Sequence, residues 1–170
     1  HLHGNIYRVK PSLIQFAEGD EEDSLTFRNP RYALARDGKN PKGMSAAEMS
    51  ELREAIRTEG LENPPVLRYL VIDEDEILQL VSGERRTRSI LRLIKDNADC
   101  YDPATRQMVP ARELYEYIDV RINDMDDQTA YKHAFSGNDK AIGIGDGATI
   151  CLVRDFRQNG WTDNQILAAT

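Results

Sequence analysis

The chain has 170 residues, a formal net charge of −7, 40% hydrophobic residues and 30% charged ones. That length suits one domain, or one domain with a helical appendage, and the composition supports a packed core rather than disorder. The acidic balance excludes a basic coat that would hold nucleic acid indiscriminately, so any such contact must be local or lie in other sequence.

Cys100 and Cys151 stand far apart and match no metal spacing, and His1, His3 and His133 do not cluster. Zinc and a disulfide framework are therefore not indicated. No run is long enough to span a membrane and no signal-peptide pattern is present, so a cytosolic, reducing setting is expected. The opening His1-Leu2-His3-Gly4 reads as a purification-tag remnant.

Residues 6–16 read as a first strand, followed by an acidic solvated loop (Glu18, Asp20, Glu21, Glu22, Asp23). From Asn29-Pro30-Arg31 to Asn40-Pro41 the chain is rich in loop-formers and basic residues, which predicts a surface segment. Arg36, Lys39 and Lys42 in it suit a DNA backbone or a solvated loop equally well. Ser45 and Glu48 make a capping box, Met49, Leu52 and Ile56 share a helical face, and Gly60 closes that helix. After Pro64-Pro65, residues 66–72 and 77–81 read as two strands of a hairpin turning at Asp73-Glu74-Asp75. A helix then opens at Gly83 and continues through Ile94.

Residues 95–110 read as a long polar loop, with a turn at Tyr101-Asp102-Pro103. Tyr117 to Ile122 predicts a strand and Asp126 to Phe135 a short helix. Four glycines between Gly137 and Gly147 give a hinge composition. The run at Gly143 to Gly147 lacks the lysine and preceding strand of a phosphate-binding P-loop. Ala148 to Gln158 is helical in pattern and ends at Asn159-Gly160. Thr162 and Gln165 then make a second capping box, with Trp161 and Ile166 as its hydrophobic staple.

One stretch carries chemistry. At Leu80-Val81-Ser82-Gly83-Glu84-Arg85-Arg86-Thr87-Arg88 an apolar strand runs into a glycine and an arginine-rich helix start. A glycine admits close backbone approach, a helix start offers N–H groups to an anion, and arginine forks match phosphate oxygens in pairs. The combination points to held phosphate. The plainer alternative is an amphipathic helix whose basic face, with Arg85, Arg88 and Arg92, is solvated and neutralised by Glu74, Asp75 and Glu76. Glu84 suits a helix start, where the dipole favours a carboxylate, better than it suits a catalytic acid.

Ser82-Gly83-Glu84-Arg85-Arg86-Thr87-Arg88 resembles the GERRxR box of the ParB/sulfiredoxin-like superfamily, in its ParB branch. Phe27-Arg28-Asn29-Pro30-Arg31 is similar to that family's early N-P-x-R segment. Leu52 to Leu61 with Asn63-Pro64 resembles its helix and G-x-x-Q-P box, with Asn63 where the family has Gln. Gly160-Trp161-Thr162-Asp163 resembles the start of its helix-turn-helix domain.

The resemblance implies an α+β fold. Residues 5–136 would form a ParB/sulfiredoxin-like nucleotide-binding domain with a small mixed sheet and helices. Residues 137–147 would be a glycine-rich hinge, and 148–170 the truncated start of an all-helical, helix-turn-helix DNA-binding domain. It implies a partition protein of a chromosome, plasmid or phage that binds CTP with Mg2+ and closes a homodimeric clamp on DNA. A ParA-type ATPase is an implied partner, and the setting is cytoplasmic, on nucleoid or plasmid. The nucleotide-binding residues carried over are Asn63, Pro64, Ser82, Gly83, Glu84, Arg85, Arg86, Arg88, Asn138 and Lys140, with Asn138 also on the metal.

The family's third box, E-N-x-x-R, is altered. The matching stretch is Ser136-Gly137-Asn138-Asp139-Lys140, with Gly137 in the Glu position and no arginine at the expected place. Lys140 stands one position early as a substitute cation, and Asp139 as a substitute acid. The family's L-x-P-x-E-E-A run is replaced by Ile144-Gly145-Asp146-Gly147-Ala148. Binding with slow or absent hydrolysis is the expectation. Two alternatives stay open: a DNA-binding adaptor without nucleotide chemistry, and a ParB-like nuclease. Against the nuclease stands the lack of a dense carboxylate or histidine cluster.

Overall fold

Pro11 decides how the chain begins. The computed structural model describes residues 3–17, 27–30, 43–139, 153–154, 156–158 and 160–169, with the backbone alone at 3–4 and 137–139. The stretch 6–16, one strand by its sequence pattern, is interrupted by a 3-10 turn at Pro11–Leu13. Proline has no N–H for a ladder and its ring presets the turn. The two parts, β1 (His3–Val9) and β2 (Ile14–Gln15), occupy opposite edges of one five-stranded sheet. β1 also takes in His3 and Gly4, which the sequence reading sets aside as a tag remnant.

The remaining elements of this first unit are α1 (Ala46–Glu59), β3 (Val66–Ile72), β4 (Asp75–Ser82) and α2 (Glu84–Asp96). There follow β5 (Asp99–Asp102), β6 (Gln107–Pro110), α3 (Ala111–Leu114) and β7 (Ile118–Asn123). The sheet order is β1-β7-β3-β4-β2, with β3 parallel to β7, β2 parallel to β4 and the other pairs antiparallel. The chain is α+β, as expected.

Alternation sets the register. In β7, Ile118, Val120 and Ile122 are buried while Asp119 and Arg121 between them are exposed. Leu67 is level with Leu80 on one side and Ile122 on the other, so buried aliphatic side chains line one face. Ile56 of α1 and Ile90 and Leu93 of α2 add to the buried core. Asp73 and Glu74, both at positive φ (49° and 70°), close the β3–β4 hairpin as the two central residues of a type I′ turn.

The polar stretch 95–110 is not a loop throughout, because β5 and β6 pair as a separate hairpin within it. Asp102 organises its turn. Its carboxylate accepts from the Ala104 N–H (2.9 Å) and the Thr105 hydroxyl (2.7 Å), which holds the acid below its ordinary pKa. Its carbonyl accepts from the Arg106 N–H at 2.7 Å. Four-residue strands of mixed polarity leave little periodicity to read, and this local chemistry replaces it.

Contacts divide the chain into two compact units: His1–Gln15 with Ala46–Asp124, and Phe16–Ser45 with Met125–Thr170. The second holds α4 (Asp127–Asp139) and α5 (Asp163–Ala169), and residues 153–154 and 156–158 are also helical. Asp126 accepts from the Thr129 N–H (2.8 Å) ahead of α4, which runs on through Gly137–Asp139 into the stretch expected to be a hinge. The rest of that stretch lies outside the described residues.

The core of the second unit is aromatic. Phe27 and Phe156 meet Tyr131 edge-on at 4.8 and 4.6 Å between centroids, and Phe156 stacks on Trp161 at 4.4 Å. The Tyr131 hydroxyl accepts from the Arg28 N–H at 3.1 Å. Asn29 and Pro30 are buried here, although the sequence predicts a surface segment from Asn29 onward. The capping box at Thr162 forms in both directions: the Gln165 N–H donates to Thr162 Oγ1 (3.3 Å), and the Thr162 N–H donates to Gln165 Oε1 (2.8 Å). Among the described residues, no helix is long and apolar enough to cross a membrane.

Candidate functional site

The junction between β4 and α2 is built as a tight turn around Gly83. Ser82 is level with Val66 in the hairpin, and Gly83 then takes a left-handed conformation (φ 96°, ψ 23°) as the N-cap of α2. This geometry strains any residue with a Cβ. Thr87, fully buried, donates both its N–H (2.9 Å) and its hydroxyl (3.0 Å) to the Gly83 carbonyl, which locks the turn to the helix.

The space beside Gly83 belongs to the protein. A Cβ there would lie 3.1 Å from Pro65 Cα, 3.2 Å from Pro65 Cβ and 3.2 Å from Arg86 Nη2. The sequence reading gives this glycine to the close approach of a ligand. In the structure, Pro65 and the Arg86 guanidinium make that approach.

Arg86 reaches back from the first turn of α2 and donates through Nη1 to the Asn63 carbonyl. Burial pushes its guanidinium below its ordinary pKa. The Pro65 carbonyl accepts from the Arg121 N–H of β7 at 2.9 Å. Asn63, Pro65, Ser82, Gly83 and Arg86, separated by up to 23 positions, therefore form one connected group. Pro64 lies between the first two of them.

Glu84 and Arg88 pair with each other. The Glu84 carboxylate, only 2% exposed, accepts from Arg88 Nη2 (3.0 Å) and Nε (3.2 Å). Its position at the start of α2 suits the helix dipole as well. Arg92 pairs with Asp96 at 2.7 Å, so part of the basic face is neutralised along the helix itself. The acidic hairpin turn does not supply all of that neutralisation: Glu76 accepts from the Tyr69 hydroxyl instead, at 2.8 Å. Arg85, in the first turn of α2, is partly exposed.

The third box falls in the second unit. Ser136–Asp139 form the last turn of α4, the Asn138 side chain is not described and Lys140 lies outside the described residues. Among the described residues, no group of three or more His, Cys, Asp or Glu side chains is placed to hold a metal ion.

Two features escape sequence reasoning. Arg68 of β3 is 2% exposed and donates through Nε to Gln79 Oε1 of β4 at 2.7 Å, with Gln79 itself 1% exposed. The signal available was a lone arginine within an apolar strand, opposite a glutamine in hairpin register. The second feature is Tyr115, whose buried hydroxyl has no hydrogen-bond partner among the described residues, and whose pKa burial pushes up to about 12.

A raised pKa on an acid means that the fold favours the neutral phenol. The stability this contributes is complete below the ordinary value near 10 and is lost as pH climbs toward about 12. Tyr115→Phe is expected to shift alkaline unfolding to higher pH, followed by circular dichroism alongside phenolate absorbance. An unchanged midpoint would show that another group governs the alkaline limit.

No protein-family model matches the chain, and no curated protein matches it. Among solved structures it is similar to the C-terminally truncated chromosome-partitioning protein ParB from Caulobacter crescentus, complexed with CTP-gamma-S. The identity is 15%, the alignment covers 98% of this chain and 71% of that one, and the TM-score is 0.47. At that identity no residue role passes from one chain to the other.

Proposed function

We propose that the chain is a ParB-like partition protein that binds a nucleoside triphosphate, CTP with Mg2+, at the start of α2. The observation that carries this reading is the Gly83 turn, which joins β4 to a first helical turn bearing Arg85 and Arg86. The donor chemistry fits phosphate: helix-start N–H groups, the positive end of the helix dipole and the planar guanidinium of Arg85 all belong to the first turn of α2. Gly83 brings no side chain to cap those N–H groups.

Within this reading Arg85 is the phosphate contact and Asn63-Pro64 borders the base. Ser82 and Gly83 shape the turn, Glu84 with Arg88 stabilises the helix start, and Asn138 and Lys140 are carried as further nucleotide contacts by the resemblance alone, Asn138 also to magnesium. Bound CTP would supply three phosphate groups for these donors. The protein's part is to bind and orient them, with hydrolysis slow or absent because Gly137 replaces the family's Glu. DNA, met through a helix-turn-helix that begins near Thr162, and a second copy closing a clamp are the proposed partners. A ParA-type ATPase is a further one, and the proposed setting is the cytoplasm, on nucleoid or plasmid.

Two or three charge-assisted hydrogen bonds of roughly 1.5–3 kcal/mol each total about 3–9 kcal/mol, which spans millimolar to micromolar affinity. Calorimetry with CTP, ATP, GTP and UTP in the presence of magnesium is expected to give heat with CTP. Arg85→Ala should weaken that binding about tenfold, equivalent to about 1.4 kcal/mol. Absence of heat with all four at millimolar concentration would sink the proposal.

A second reading is favoured by one observation: Arg86 and Arg88 already have protein acceptors in the Asn63 carbonyl and Glu84. A DNA-binding adaptor without nucleotide chemistry would use the same groups as structural ties. It predicts an oligomeric state, measured by light scattering, that CTP leaves unchanged.

A further inference from the structure

We infer that Arg86 is a positioning residue, which clips the Asn63–Pro65 segment onto the start of α2, while Arg85 beside it meets the phosphates. The inference rests on the nucleotide reading above and refines the roles within that site.

The geometry of the clip is specific. Arg86 Nη1 donates to the Asn63 carbonyl, and Nη2 lies 3.2 Å from where a Gly83 Cβ would stand. A Cβ at 83 would crowd both the guanidinium and Pro65. The segment is held from its other side as well, because the Pro65 carbonyl takes the Arg121 N–H. The strand hairpin, the start of α2 and β7 thus meet around residues 63–65, and Arg86 is the side chain that ties the first of these residues down. The guanidinium is half-buried in this seat and directed at a backbone carbonyl.

The two roles leave different signatures. A phosphate contact gains importance with each added phosphate, since the charge it faces grows. A positioning residue affects all ligands of the pocket alike and also changes the ligand-free protein. Two backbone amides report on the clip directly: Arg121, which donates to Pro65, and Thr87, which donates to Gly83.

The experiment compares Arg86→Ala and Arg85→Ala in the full chain, by calorimetry with CMP and CTP and by amide hydrogen exchange without nucleotide. Arg86→Ala is expected to weaken CMP and CTP by the same factor and to speed exchange at Arg121 and Thr87 about tenfold. Arg85→Ala is expected to weaken CTP more than CMP and to leave both amides unchanged. Should Arg86→Ala not fold, Arg86→Lys keeps the charge but loses the planar fork, and the same readouts apply. Unchanged exchange in the Arg86 variant, or a loss that grows with phosphate number, overturns the inference. If the parent protein binds neither nucleotide, the nucleotide reading fails, and the exchange of the two amides alone decides whether Arg86 is the clip.

Discussion

Gly83→Ala lowers stability by about 2–5 kcal/mol and brings the thermal midpoint down by roughly 4–20 °C, at about 2–4 °C per kcal/mol for a chain of this size. Two costs combine. A left-handed φ of 96° costs a residue with a Cβ roughly 1–2 kcal/mol. The new methyl also meets the Pro65 backbone at 3.1 Å and the Arg86 guanidinium at 3.2 Å, and crowding of that kind adds about 1–3 kcal/mol. Pro65 cannot retreat easily, because its carbonyl is tied to β7.

Gly160 provides the control. It also has a positive φ, 79°, but nothing among the described residues lies within 4 Å of its added Cβ, so Gly160→Ala should cost only the strain, about 1–2 kcal/mol. Denaturant unfolding of the two variants separates the terms. Equal losses would mean that the packing around Gly83 contributes nothing, and that the turn needs glycine for its dihedral angle alone.

Gln79→Leu is the second large effect, at about 2–3 kcal/mol. The substitution removes an acceptor 2.7 Å from the guanidinium of Arg68, whose exposure is only 2%. A buried charge that loses a hydrogen-bond partner forfeits about 1.5–3 kcal/mol, since water cannot replace that partner. Arg68→Met made together with Gln79→Leu should recover part of the loss, because the apolar pair no longer needs solvating. A double-mutant cycle in urea measures this coupling, expected at about 1 kcal/mol or more for groups in direct contact. Strictly additive losses would show that the two side chains do not act as a unit.

The elements read most easily from sequence were those whose signals are local. Gly60 ends α1 at positive φ with its N–H on the Ile56 carbonyl, as a C-terminal glycine should. The Thr162–Gln165 box closes in both directions. The β3–β4 hairpin and the β4–α2 junction follow from apolar runs bounded by turn residues. The β5–β6 hairpin was not legible, because its strands are short and of mixed polarity and its turn depends on one carboxylate accepting two local donors. The split of the first strand was not read either, although Pro11 was visible; what pairs with each part lies more than 60 positions away.

The same division runs through the candidate site. Gly83, Glu84 and the arginines announce a basic helix start from sequence, because glycine's freedom and the helix dipole act over a few residues. Which arginine is committed to what cannot be read that way. Arg88 turns to Glu84 one helical turn behind it, while Arg86 reaches across 23 positions to Asn63. The sequence alone therefore sets the class of chemistry at this corner, a concentration of donors suited to an anion. Folding assigns the individual groups, since burial and reach depend on where Pro65 and β7 come to lie. The space reserved by Gly83 is the clearest instance: local conformation demands the glycine, and a residue 18 positions earlier fills the room it leaves.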